Sequence, residues 1–122
     1  MKYAISKEDR YANIQPAEEN LTAAFAPALK TEFVLLNNGG FHNIICDLSK
    51  VNYVDSSGLS AFLVGDRICN EKRGKFVLCN ISSSLEQLLK LSQLDSILNV
   101  VPSLPEAVDF VLLHELERDL RG

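Results

Sequence analysis

A carboxylate, two hydroxyls and a glycine in a row, Asp55-Ser56-Ser57-Gly58, make up the stretch of this chain whose residue types could do chemistry. The stretch lies within Val51-Asn52-Tyr53-Val54-Asp55-Ser56-Ser57-Gly58-Leu59, between an apolar run and a segment of helical periodicity. Asp55 or Ser56 is the natural cap of that helix, since both side chains accept from first-turn amides that lack intrahelical partners. Such a helix start carries partial positive charge and accepts anions. Phosphate on Ser56 would then sit on the helix amides, and would add about −1.5 to −2 charges beside Asp55 without melting the helix. The expected consequence is a blocked contact surface on an intact fold. The competing reading of the same four residues is a cap and a tight turn with no further role.

Other chemistry is poorly supported. Ser56 or Ser57 as a hydrolase nucleophile would need an activating base and a glycine-serine-glycine elbow, and neither is present in the local sequence. His42 and His114 are the only histidines and have no cysteine or histidine at ligand spacing, so no metal site and no cofactor are expected. Cys46, Cys69 and Cys79 fall on predicted strands or a helix, where packing is the default role. Lys72-Arg73-Gly74-Lys75 is ordinary helix-end chemistry, and Gly39-Gly40 lacks phosphate-loop spacing. Glu115, Glu117, Arg118 and Asp119 read as a solvated face.

The elements that must position Ser56 follow from periodicity. Two short extended runs, Tyr3–Ile5 and Tyr11–Ile14, flank a polar break and end at Pro16, which predicts an N-terminal hairpin. A helix between Ala23 and Asn38 carries Leu29, Phe33 and Leu36 on one stripe, has Pro27 near its first turn and stops at Gly39-Gly40. His42–Leu48 and Phe76–Cys79 are apolar without alternation, as strands covered on both faces are. A second helix spans about Ser57 to Lys72. Its two apolar stripes, Leu59/Phe62/Leu63 and Ala61/Val64/Ile68, exceed what one sheet face needs, so either a partner or a neighbouring helix covers the surplus. Asp66, Arg67, Asn70, Glu71 and Lys72 keep its far end wet. Ser83 and Glu86 predict a capping box for a third helix with Leu85, Leu88 and Leu89 inward. Ile97–Val101 is a short strand closed by Pro102. Ser103 and Glu106 repeat the capping box and open a last helix with Pro105 in its first turn and Val108, Val111 and Leu112 inward.

Strand–helix alternation with buried strands predicts one α/β domain over residues 1–122. Its expected sheet is mixed, with about five strands, a hairpin plus parallel strands, and about four helices. The 122 residues are 47% hydrophobic and 23% charged, ordinary for a globular domain able to hold a core without staples. A net charge of −4 argues against a nucleic-acid module. Met1 opens a polar segment with no apolar leader, and three cysteines without motif spacing read as reduced thiols, so a cytoplasmic protein without a membrane partner is expected.

Taken in order, Asp47-Leu48, Val54-Asp55-Ser56-Ser57-Gly58-Leu59, Gly74-Lys75-Phe76-Val77-Leu78-Cys79 and Leu85-Glu86-Gln87-Leu88-Leu89-Lys90-Leu91-Ser92-Gln93-Leu94 resemble the STAS domain. More specifically the chain, from about residue 3 to 120, is similar to a free-standing bacterial anti-sigma factor antagonist. The resemblance implies a non-enzymatic binding protein with Ser56 as phosphoacceptor, Ser57 as second choice, and Asp55, Ser57 and Gly58 as its neighbours. It implies a partner face made of Thr22, Asp55, Ser56, Ser57, Leu59, Ser60 and Leu63. It also implies partner switching: the unphosphorylated form binds a serine-kinase anti-sigma factor of ATPase type and frees a sigma factor. Phosphorylation then ends the partnership, and a metal-dependent serine phosphatase restores it. One departure stands out: many members have an aspartate after a leucine just before the first helix, whereas Leu21 is followed here by Thr22, with Glu18 and Glu19 nearby. A constitutive scaffold of the same fold and a small enzyme using Ser56 or Cys69 are the competing classes.

Overall fold

The structure, a computed structural model, describes residues 1–121 of the 122. Its strands are β1 (Tyr3–Lys7), β2 (Ala12–Pro16), β3 (Asn20–Leu21), β4 (Ile44–Asp47), β5 (Tyr53–Val54), β6 (Phe76–Cys79) and β7 (Asn99–Val101). Its helices are α1 (Ala26–Asn38), α2 (Ser56–Glu71), α3 (Ser83–Leu91) and α4 (Leu104–Arg121). Five strands form one sheet in the order β1-β2-β4-β6-β7, and β3 pairs with β5 in a separate ribbon. The expected hairpin is present as the antiparallel β1–β2 pair, with Ile5 opposite Ile14, and every other pairing is parallel. The mixed sheet and four helices are those the periodicity predicts.

The unalternating apolar runs have a direct cause. Side chains along a strand point to opposite faces in turn. Ile44, Cys46, Phe76 and Leu78 enter the main core with residues of α1, α2 and α3, while Ile45, Val77 and Cys79 meet Ala107 and Val111 of α4 on the other face. Both faces of β4 and β6 are therefore covered, so every position in them is apolar or, at Asp47, hydrogen-bonded. Phe33 of α1 sets its ring edge-on to Phe76, with centroids 5.0 Å apart.

Several boundaries and faces differ from expectation. α1 begins at Ala26, inside the expected Ala23–Asn38 range, because residues 22–25 form a turn in which the Thr22 carbonyl accepts from Phe25 N and Ala26 N. The cap of α3 is Ser82, whose hydroxyl accepts from Leu85 N at 3.2 Å; Glu86 instead pairs with Lys90 one turn on, so there is no Ser83–Glu86 box. Ser103 caps α4, accepting from Glu106 N at 3.4 Å, which is one half of the expected Ser103–Glu106 box. The last strand is shorter than Ile97–Val101: Leu94–Ser96 form a 3₁₀ turn, Ile97 is exposed, and pairing starts at Asn99. Leu112 points outward, and α4 instead buries Ala107, Val111 and Glu115. Two polar expectations are also corrected. Asp66 is buried on α2, and Glu115 is buried rather than part of a solvated face, accepting from Asn43 Nδ2 at 2.6 Å.

Candidate functional site

The short ribbon that periodicity did not reveal places the site. Asn20 pairs with Tyr53 and Leu21 with Val54, so the chain segments that leave β3 and β5, at Thr22 and Asp55, emerge side by side. Two residues per strand are too few for an alternating signal, which explains why the ribbon was not legible. Asp55 N donates to Leu21 O at 3.2 Å and ties the two exits together.

Asp55 is the N-cap of α2, with extended backbone, and this decides between Asp55 and Ser56. Its Oδ1 accepts from Ser57 N at 2.9 Å and Gly58 N at 3.1 Å. Its Oδ2 accepts from Ala23 N at 3.3 Å, in the turn that leads into α1. One carboxylate therefore holds the entries of both helices. The arrangement corrects the expectation that phosphate on Ser56 would rest on free helix amides, since two of those amides already serve Asp55.

Ser56 is exposed in the first turn of α2, on the rim of a shallow hollow of about 290 Å³. Ala23, Ala26, Pro27, Ser57, Ser60 and Lys30 complete that hollow, and Lys30 is the charged side chain in it. Thr22, Asp55, Ser57 and Ser60 are half-buried around the same spot. Leu59 and Gly58 are turned inward, and Leu63 packs partly against the core. The remaining surplus on α2 is covered from within. Ala61 is fully buried, Ile68 packs against the core, and Asn37 of α1 donates to Ile68 O at 3.3 Å. The neighbouring-helix reading therefore holds for Ala61 and Ile68, while Val64 stays half-buried outside both core clusters.

Thr22 stands where the resemblance expects an acid. Its Oγ1 accepts from Ala24 N at 3.4 Å, a local turn contact, and it brings no charge. Glu18 does not replace it, because its carboxylate accepts from Lys2 N at 2.9 Å, back at β1. No histidine approaches Ser56. His42 lies beyond the far end of α1, bound to Asn37 Oδ1 at 2.6 Å, and His114 meets the Arg73 carbonyl past the far end of α2. Helices of 13 and 16 residues separate these ends by about 20 Å or more. All three cysteines are free and buried; burial pushes Cys69 and Cys79 up to about 12 and Cys46 well above the usual thiol range. None is a thiolate nucleophile near neutral pH. Among the described residues, no three His, Cys, Asp or Glu side chains converge on a metal-sized site, and no helix is long and apolar enough to cross a membrane.

A mixed five-stranded sheet, a two-strand ribbon and a serine opening the helix behind it define the class. The chain belongs to the STAS domain family, whose profile matches residues 4–107. Its fold matches a solved candidate anti-sigma factor antagonist of Thermotoga maritima at TM-score 0.79 and 23% identity, over 89% of this chain and 93% of that one. It also matches the Bacillus cell-fate determinant SpoIIAA in its phosphorylated form at TM-score 0.70 and 20% identity, over 90% of this chain and 99% of that one. The same fold occurs as a part of the murine anion transporter Slc26a9, at TM-score 0.71 and 19% identity, over 88% of this chain but 18% of the transporter. At these identities the likeness establishes the fold.

Proposed function

We propose that this protein is an anti-sigma factor antagonist whose unphosphorylated form binds a serine-kinase anti-sigma factor of ATPase type, so that a sigma factor is released. Phosphorylation of Ser56 ends that complex, and a metal-dependent serine phosphatase restores it. The observation that carries the reading is the exposed Ser56 hydroxyl beside a carboxylate whose two oxygens are both engaged. A relative of the same fold solved in a phosphorylated form adds support.

The geometry around Ser56 supports a switch that leaves the fold intact. Ser57 N and Gly58 N stay with Asp55, so a phosphate on Ser56 projects outward into the contact surface. It brings about −1.5 to −2 charges next to an existing carboxylate, while the helix start still favours negative charge. The scaffold is spared and the docking face is spoiled. In the transfer itself, the bond from the γ-phosphorus of ATP to ADP breaks as the bond to Ser56 Oγ forms. The hydroxyl proton needs an acceptor. With Asp55 occupied by three amides and both histidines remote, that acceptor belongs to the kinase. The docking face comprises Thr22, Ser56, Ser57 and Ser60 with the Asp55 edge, while Leu59 and Leu63 shape it from beneath.

The test is phosphorylation by a serine-kinase anti-sigma factor of ATPase type, with the phosphate mapped by mass spectrometry. Wild type should take up one phosphate, Ser57→Ala should still do so, and Ser56→Ala should take up none. Full incorporation into Ser56→Ala overturns the assignment. Ser56→Asp should melt with wild type yet bind the kinase at least about tenfold more weakly in calorimetry.

Thr22, uncharged where the resemblance expects an acid, favours a second reading as a constitutive scaffold. That reading requires equal kinase affinity for wild type and Ser56→Asp, so the same calorimetry separates the two.

A further inference from the structure

Four of the chain's twelve lysines and arginines and one of its two histidines meet in a single place. Arg73 and Lys75 come from the turn between α2 and β6; His114, Arg118 and Arg121 come from the C-terminal half of α4. They line a hollow of about 250 Å³ whose one acidic wall residue is Glu117. No aliphatic, phenyl or phenol side chain lines it. The ion pairs among the described residues engage Arg10, Arg67, Lys90 and Arg118, and leave Arg73, Lys75 and Arg121 without a carboxylate partner. A chain of net charge −4 thus gathers four cations around one hollow with a single carboxylate, Glu117, in its wall.

The two walls are braced against each other. Asn43 Oδ1 accepts from Lys75 N at 2.8 Å, and Asn43 Nδ2 donates to Glu115 Oε1 at 2.6 Å. Arg118 Nη1 donates to the same Glu115 oxygen at 3.2 Å. At a second point His114 Nε2 donates to the Arg73 carbonyl at 2.9 Å. The turn itself has little freedom: Arg73 holds a left-handed φ of 63°, and a Cβ at Gly74 would collide with the His42 carbonyl. Cations mounted on a rigid frame lose less entropy when a ligand arrives. A wholly polar basic hollow on a braced backbone suits a compact ligand with several anionic oxygens, which arginine and lysine bind through charge-assisted hydrogen bonds.

We propose that this hollow between the α2–β6 turn and α4 binds a multiply charged phosphate oxyanion of the pyrophosphate class. It lies about 24 Å along α2 from Ser56, by the rise of a 16-residue helix, and stands independently of the proposed switch. The test uses the full chain at low ionic strength, titrated with inorganic pyrophosphate and followed by calorimetry and by amide and histidine NMR. Binding should saturate at one site and shift signals of residues 70–75 and 114–121. It should also weaken as salt is added. The double variant Arg73→Gln/Arg121→Gln removes two cations that have no ion-pair partner among the described residues. It should keep the melting temperature and lose about tenfold or more in affinity. ATP in place of pyrophosphate identifies the source: equal affinity supports a site for the phosphate chain alone, and tighter ATP binding supports a nucleotide site. Absence of saturation by about 10 mM pyrophosphate, shifts confined to other residues, or unchanged affinity in the double variant overturns the proposal.

Discussion

Asp55 uses both carboxylate oxygens to hold two helix entries, and Ser56 next to it holds nothing and faces solvent. Adjacent residues thus divide a structural role, held by Asp55, from the reactive one proposed for Ser56. The division can be tested by substitution. Asp55→Ala leaves Ser57 N, Gly58 N and Ala23 N without their acceptor, and should cost about 1–2 kcal/mol in urea unfolding, the usual range for a lost cap. Asp55→Asn keeps an oxygen in place and ranks among good caps, so its loss should be less than half as large. Equal losses for the two variants would mean that the negative charge, rather than the hydrogen bonds, holds the site.

Among the elements, the β3–β5 ribbon and the first turn of α2 are packed so closely that only glycine fits at position 58. A Cβ there would stand 2.5 Å from Val54 Cγ1 and 2.7 Å from Leu21 O, one from each strand of the ribbon. Helix propensity alone favours alanine over glycine by about 1 kcal/mol. The contact with a backbone oxygen reverses that preference, since neither the ribbon nor the helix can yield cheaply. Gly58→Ala should therefore destabilise the protein by about 1–3 kcal/mol and broaden the amide signals of Leu21–Ala23 and Asp55–Leu59. A stabilised Gly58→Ala variant would show that α2 does not dock on the ribbon as described.

Across the molecule as a whole, α4 covers one sheet face alone, and its grip depends on a buried polar brace. Asn43 reaches Arg10 O, Lys75 N and Glu115, while Glu115 also receives Arg10 and Arg118. Burial pushes the Glu115 carboxyl up, but the Asn43 amide and the charges of Arg118, His114 and Arg10 outweigh it and hold the group below its ordinary range. A carboxyl depressed in the folded state stabilises above its unfolded value, about 4.3, and that contribution fades as pH falls through the lower folded value. Asp66 runs the other way, because burial raises it against the opposing effects of Asn70 and Lys75. Glu115→Gln should therefore be less stable than wild type at pH 7, with the gap closing as urea unfolding is repeated from pH 5 down to pH 3. A gap that stays constant with pH would exclude the ionised brace.

Sequence alone determined the covalent order of strands and helices, the doubly covered character of Ile44–Cys46 and Phe76–Cys79, and the helix start at Asp55-Ser56. These features rest on local causes: burial on both faces removes alternation, and a cap needs a short polar side chain where amides lack partners. The tertiary structure decided the rest. The pairing of Asn20–Leu21 with Tyr53–Val54, the turn of Leu59 toward the core and the capture of the Ser57 and Gly58 amides by Asp55 depend on residues distant in the chain. So does the burial of Glu115, whose partners Asn43 and Arg10 lie more than seventy positions away. Periodicity reports which face of an element is apolar, but not which polar group will meet it across the fold. Charge pattern behaves the same way: Arg73 and Lys75 look like ordinary helix-end cations until α4 lays Arg118 and Arg121 beside them.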